Sequence, residues 1–344
     1  MNVDDLLRTM PKAELHLHLE GAVDASTFVS LAGVHGLVLP SHDDPLELYE
    51  YDTLTDFLTV YSLVCSAVRT RDDFARVTYE CLTRCAGSGA RYVEFFFSPE
   101  SHLEFVDYPT MLAGVVRGME EAATDVGVES RVIPAINREL GAARAVEFVE
   151  MVQAHRYEQV IGVGMDFNEV GFPPEDYVEA FALATSYGLG RTSHAGEVGP
   201  AANIGNGIEL LSCDRVDHGY NVVDDPELMA KCAASQIPFT VCPTTTTYTT
   251  DYRDLTDLTH PIRRMADAGL ALTINSDDPA MFGVDLAHEY SVLHHSMGFT
   301  LAELRRCALN GIEAAWIDEG TKATWRAEWA SETDRLFAQA SIGS

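Results

Sequence analysis

Basic residues are scarce in this chain. Its 344 residues include 23 Lys and Arg against 53 Asp and Glu, a formal charge of −30. Clustered cations are what displace counterions from phosphate, so the balance argues against DNA, RNA or an anionic membrane as a partner. Most of the charge keeps the surface solvated, and a neutral or cationic substrate is expected. Long apolar runs are missing too: no stretch reaches eighteen residues, and the opening MNVDDLLRTM is acidic and amphipathic rather than basic and then apolar. Neither a membrane span nor a secretory signal is expected, and the cytoplasm is the expected location. Seven cysteines, scattered and odd in number, do not form a disulfide framework. Cys81 and Cys85 are spaced like neighbours on a helix face, with no second pair to complete a metal site. There is no low-complexity tract, and a composition 47% hydrophobic and 9% aromatic belongs to a globular protein with a sizeable core.

What is present is a rhythm. Short β-rich apolar runs occur at residues 13–21 (AELHLHLEG), 91–100, 130–139, 160–169, 188–197, 214–219, 237–243 and 271–279. Between them lie segments whose apolar residues repeat at three and four, such as TMLAGVVRGMEEAATDVG and PPEDYVEAFALATSYG, each ending in Gly as helix C-termini often do. Strands alternating with helices in this number predict an α/β fold, a (β/α)8 TIM barrel. The gap between the first two runs is about seventy residues, longer than the others. It is expected to hold extra helices inserted after strand 1, including TLTDFLTVYSLVCSAV, on the face where barrel active sites form, where they could act as a lid. The tail from TLAELRRCALNGIEAAWIDEG reads as C-terminal closing helices. No linker or further repeat interrupts the chain, so a single domain over residues 1–344 is expected.

Barrel chemistry sits where strands end. The ends of the runs supply His16, His18 and Glu20 (strand 1), His194 and Glu197 (strand 5), His218 (strand 6), and Asp277 with Asp278 (strand 8). Strand periodicity of two points His16 and His18 to one side, and the barrel interior would bring them towards His194. Each could be an independently satisfied core residue. Two imidazoles on one strand face, with others at the ends of strands 5 and 8, favour a shared ion instead. Three neutral imidazoles and Asp277, with a position left for water, suit one catalytic zinc per chain. Such an ion acidifies its water towards neutrality. Glu197, three residues past His194, is placed to carry protons without ligating. His218 is either a further ligand or a base for the water. Asp278 is free to face a substrate heteroatom. The strand 4 run has no lysine, which disfavours a two-metal site bridged by a modified lysine.

In order and spacing, HLHLEG, SHAGE, DHG and SDDP resemble the adenosine deaminase family of the amidohydrolase superfamily, from about Pro11 to Phe282. The resemblance implies His16, His18, His194 and Asp277 as zinc ligands. It makes Glu197 the donor to purine N1, His218 the assistant to the water and Asp278 the partner of N7. The reaction implied is hydrolytic loss of ammonia from C6 of a 6-aminopurine. The P-C-x-x-C signature of the other zinc nucleobase deaminases is absent, since Cys242 and Pro243 stand in reverse order.

Glu20, where adenosine-specific relatives usually have Asp, and the strand 4 segment GMDFNEVGFPP look more like the adenine deaminase branch. Adenine is therefore the expected substrate and adenosine the second, with Glu20, Asp166, Phe167 and Asp278 as substrate-binding residues. Two departures bear on this. Phe167 and Asn168 replace two serines of the adenine pattern, and CPTTTTYT (residues 242–249) replaces C-P-x-S-N, with Thr245 and Thr246 at the Ser and Asn positions. A modified purine or nucleoside is the alternative these departures raise. Another amidohydrolase reaction and a purine-binding protein on a retired scaffold are weaker ones. The sequence does not specify the oligomeric state.

Overall fold

The computed structural model describes residues 1–51 and 54–342. Its strands are β1 (Lys12–Glu14), β2 (Ala90–Phe97), β3 (Glu129–Asn137), β4 (Gly162–Asp166), β5 (Gly190–Ala195), β6 (Arg215–His218), β7 (Pro238–Val241) and β8 (Ala271–Ile274). They form one sheet in chain order, and all seven ladders are parallel. The eight predicted runs thus become the eight strands of a (β/α)8 barrel.

The seam between β8 and β1 carries functional weight. β1 is shorter than its apolar run, because its register shifts between Lys12 and Ala13 and its backbone beyond Glu14 pairs through single bridges. Leu17 bridges to Asp277 and His18 to Phe96. His18 N–H donates to Asp277 O at 2.8 Å, and Asp277 N–H to His16 O at 3.1 Å. The residues that close the barrel are therefore the ones that carry its titratable side chains.

The long first crossover contains helices Ala25–Val34, Leu54–Ala67 and Arg71–Gly87, as its length predicts. Thr53, the first residue of the expected lid segment, lies outside the described residues, as do Asp52, Gly343 and Ser344 of the expected domain. Helix Arg71–Gly87 starts at a capping box in which Thr70 and Asp73 satisfy each other's backbone N–H. Helix Tyr108–Val126 is capped by Asp107 and stopped by Gly127 at φ 71°, a left-handed position natural to glycine. Helices Leu286–His295, Leu301–Ala314 and Glu319–Ile342 close the chain, the second packing on β8 and β1. No helix among the described residues is long and apolar enough to cross a membrane.

The amino-terminal end of the barrel is plugged by polar and aromatic groups. Arg215 pairs with Glu94 at 2.5 Å with both side chains fully buried, and its guanidinium lies 4.2 Å from the Trp316 ring centroid. Tyr92 O–H and Trp316 N–H donate to the other Glu94 oxygen at 2.8 and 2.6 Å. Gly162 and Gly190 make room, since a Cβ on either would lie within 2.6 Å of the Trp316 ring. Glu94→Ala strands the Arg215 charge in the core and is expected to cost about 3–5 kcal/mol of stability in urea unfolding. A loss below about 0.5 kcal/mol would show that the pair does not hold this end together.

Candidate active site

At the carboxyl-terminal mouth, four imidazoles surround one carboxylate. Asp277 Oδ1 is 3.2 Å from His16 Nε2 and 3.4 Å from His18 Nε2, and Asp277 Oδ2 is 4.0 Å from His218 Nε2. His18 Nε2 and His194 Nε2 are 3.2 Å apart. Ligand atoms of His16, His194, His218 and Asp277 all lie within 4.8 Å of one another. Atoms about 2.1 Å from a shared ion at tetrahedral angles stand about 3.4 Å apart, so ligand atoms this close could share one ion. Three of the four sequence-predicted ligands, His16, His194 and Asp277, stand in this group together with His218, while the fourth, His18, borders it through Asp277 and His194. Phe96 packs beneath, its ring centroid 5.0 Å from His16 and His18 and 5.4 Å from His194.

Hydrogen counting shows which nitrogens are bare. Thr240 Oγ1 spends its hydrogen on Asp217 Oδ1 at 2.8 Å, so His16 Nδ1, 2.8 Å from Thr240 Oγ1, must donate. Tyr220 O–H donates to Cys242 O at 3.1 Å, so His218 Nδ1, 3.1 Å from the Tyr220 oxygen, donates as well. His194 Nδ1 donates to Met165 O at 3.1 Å. The Nε2 atoms of these three rings are left facing the carboxylate, and His16 Nε2 is buried with no hydrogen bond. Burial holds His18 and His218 down to about 4 and His194 well below its usual value. On His16 burial acts downwards, but Asp277 and Asp217 outweigh it and push the ring up to about 10. Neutral imidazoles gathered beside a buried carboxylate are a donor set that could hold a divalent metal ion.

Three mouth residues take left-handed backbone without being glycine: Phe167 (φ 64°), His218 (φ 62°) and Asp277 (φ 60°). Such positions persist where surrounding structure enforces them, and here they turn side chains into the mouth.

Beside the cluster opens a cavity of about 370 Å³, lined by His18, His194, His218, Asp277, Asp278, Glu197, Asp166 and Phe167 together with Phe57, Leu58 and Tyr61 of the inserted helix Leu54–Ala67. Burial, then the Asp277 charge, pushes Glu197 up to about 7 and Asp278 well above the usual carboxylate range. Glu197 Oε2 is 3.8 Å from His218 Nε2, and Asp278 Oδ1 is buried with no partner. Burial and Glu20 push Asp166 up to about 8. Glu20 is buried behind this wall: its Oε1 accepts from Ser98 N–H at 3.0 Å and from His102 Nε2 at 3.1 Å, while Oε2 has no partner. Ser98 O–H links on to Asp166 Oδ2 at 3.2 Å. Phe167 meets Tyr61 edge to face, with centroids 6.4 Å apart. Asn168, also in the lining, uses Oδ1 to accept from Val170 N–H at 3.0 Å. Thr245 and Thr246 are not in the lining; Thr246 Oγ1 donates to Pro243 O at 2.7 Å.

Sequence reasoning missed the residues that hold these groups. Asp217 sits in the DHG motif, and Glu169 in the strand 4 segment, yet neither spacing announces its role. Glu169 is buried and accepts from Gly196 N–H (2.6 Å), Glu197 N–H (3.2 Å), Val198 N–H (3.3 Å), Gly199 N–H (2.8 Å) and Asn203 Nδ2 (2.8 Å). It therefore fixes the loop that bears Glu197. Buried Arg138 adds hydrogen bonds to Asp166 O at 2.9 Å and His194 O at 2.6 Å.

A parallel barrel with a buried His/Asp cluster that could hold a metal ion, and paired acids at its mouth, is the architecture of a hydrolase of the amidohydrolase type. The chain belongs to the adenosine deaminase family, which matches residues 11–330. It is 35% identical to an adenine deaminase of Vibrio parahaemolyticus over 93% of this chain and 95% of that one. A crystal structure of an amidohydrolase from Burkholderia ambifaria with bound zinc superposes with a TM-score of 0.91 at 36% identity, covering 98% of this chain and 94% of the other. The adenine deaminase of Arthrobacter aurescens superposes with a TM-score of 0.88 at 31% identity, covering 95% of this chain and 100% of its own.

Two outcomes follow from the geometry. Asp277→Ala should yield folded protein without bound metal by elemental analysis, and full metal occupancy would refute the coordination sphere. Glu169→Gln turns one acceptor oxygen into a donor facing N–H groups, so amide exchange of residues 196–199 should accelerate by about ten- to a hundredfold, with other regions unaffected. Unchanged protection there would refute its hold on the loop.

Proposed function

We propose that this chain is a zinc-dependent 6-aminopurine deaminase, converting adenine and water to hypoxanthine and ammonia, with adenosine as second substrate. The observation that carries this reading is the pairing of two acids, part-buried Glu197 and buried Asp278, with the imidazole cluster around Asp277 in one cavity. A 6-aminopurine presents lone pairs at N1 and N7, one on each flank of the amino-bearing C6. Ordinary carboxylates would repel both. Carboxyls kept protonated by burial donate to them instead.

In this reading His16, His18, His194 and Asp277 hold one zinc ion, a choice supported by the zinc in the Burkholderia ambifaria relative. When bound, the ion supplies Lewis-acid activation of water near neutral pH. Asp278 donates to N7 and fixes the ring. Glu197 gives its proton to N1, which draws electron density from C6 and opens it to attack. His218 Nε2, bare and in the lining, accepts a proton from the incoming water. The water oxygen bonds to C6, the amino nitrogen takes up the proton held by His218, the C6–N bond breaks and ammonia leaves. Glu197 regains its proton as N1 and the new oxygen settle into the amide form of the product.

The adenine preference is supported by relatives bearing that name and by Glu20 beside the Ser98 and Asp166 wall. Phe167 favours the second reading, a modified purine or nucleoside, because a bulky ring stands in the cavity lining. The chain is proposed to act as one domain, supported by a core cluster running from Leu6 to Leu336. A cytoplasmic location is supported by seven cysteines that are all free and buried.

Ammonia release from zinc-loaded protein, measured over adenine, adenosine, 2′-deoxyadenosine and N6-methyladenine, tests the reading. Adenine should turn over fastest, and silence on every 6-aminopurine would refute it. Glu197→Gln should keep its metal and lose about 10²- to 10⁴-fold in kcat. Near-normal turnover would remove Glu197 from the reaction. Glu20→Asp should raise adenosine turnover relative to adenine, and an unchanged ratio would remove Glu20 from specificity.

A further inference from the structure

The threonine-rich segment after β7 is one of two places where the chain departs from the motifs it otherwise resembles. Three of its hydroxyls serve their own turns: Thr246 Oγ1 donates to Pro243 O at 2.7 Å, Thr247 Oγ1 to Thr244 O at 2.8 Å and Thr250 Oγ1 to Thr246 O at 2.7 Å. Thr249 behaves differently. It lines the cavity, and its Oγ1 donates to Glu197 Oε1 at 2.6 Å. Its other acceptor, Thr245 O, is at 3.3 Å, so the carboxyl holds the shorter bond.

We propose that Thr249 is a positioning residue: by donating its hydroxyl hydrogen to Oε1 of Glu197, it directs the acid proton onto Oε2, the oxygen 3.8 Å from His218 Nε2. The proposal rests on the deaminase reading and deepens it. An oxygen that already accepts a short hydrogen bond is the weaker site for a proton, so the neutral acid carries its O–H on the opposite oxygen. When Glu197 protonates the ring, the Oε2–H bond breaks and a ring N–H bond forms. The charge left on the carboxylate is then stabilised by the Thr249 hydroxyl. Glu169 fixes the backbone of Glu197 from β4, and Thr249 fixes its carboxyl from the far side, so the acid is held from two strands' loops at once. This places Thr249 among the groups that matter to the transition state rather than to binding.

Thr249→Val keeps the shape and removes the donor. In the zinc-loaded full chain acting on adenine, kcat should fall about ten- to a hundredfold, with KM, metal content and melting temperature unchanged. Thr249→Ser should restore kcat to within about threefold of wild type, and Thr249→Ala should match the valine variant. In a Glu197→Gln background, Thr249→Val should add almost no further loss, because the acid it positions is gone. Wild-type kcat in both Thr249→Val and Thr249→Ala, a serine variant as impaired as valine, or fully additive losses would each overturn the proposal. A wild-type chain inactive on every 6-aminopurine would instead overturn the deaminase reading on which the proposal rests.

Discussion

The mouth of this barrel is organised around one buried carboxylate. Asp277 closes the seam between β8 and β1 with its backbone and faces the imidazoles of His16, His18 and His218 with its side chain. A carboxylate out of water is costly unless a cation accompanies it. The protein supplies imidazoles rather than a lysine or arginine, a donor set that could hold a divalent cation. Much else at the mouth serves the arrangement. Thr240 and Asp217 orient His16, Tyr220 orients His218, and left-handed backbone at His218 and Asp277 aims both side chains inward.

The same charge has a second effect. Asp277 lies close enough to Glu197 and Asp278 to oppose their ionisation, on top of what burial already does. The same buried charge that faces the imidazoles on one side thus raises two acids on the other. An ordinary pair of surface carboxylates could offer a purine only acceptors. In the proposed reaction the metal sphere and the donors to N1 and N7 are consequences of one buried charge, which is why they occur within one short strand end, Asp277 followed by Asp278.

The sequence carried the barrel and the cluster because both depend on local periodicity. Period two puts His16 and His18 on one face, and strand ends in a parallel barrel converge wherever they lie in the chain. What it did not carry depends on partners distant in sequence. His16 is held by Thr240, 224 residues away, and the loop bearing Glu197 is held by Glu169, 28 residues away, with nothing in either segment to mark the pairing. The threonine segment illustrates a different gap. Alignment of motifs pointed to Thr245 and Thr246 as the residues that alter the pocket, yet a short helix at Thr246–Thr249 turns the Thr246 hydroxyl back on its own backbone and brings Thr249 to the cavity. β1 ends earlier than its apolar run because single bridges, not a regular ladder, carry the backbone past His16.

In the proposed reaction water adds at C6 of a purine in this cavity and ammonia departs. Turnover of adenine by the zinc-loaded chain in ¹⁸O-labelled water, followed by mass spectrometry of the purine product, tests this addition. Hypoxanthine carrying one heavy oxygen, formed in equal amount to ammonia, is the expected product. Unlabelled product, or adenine returned unchanged by a fully metallated chain, would contradict it.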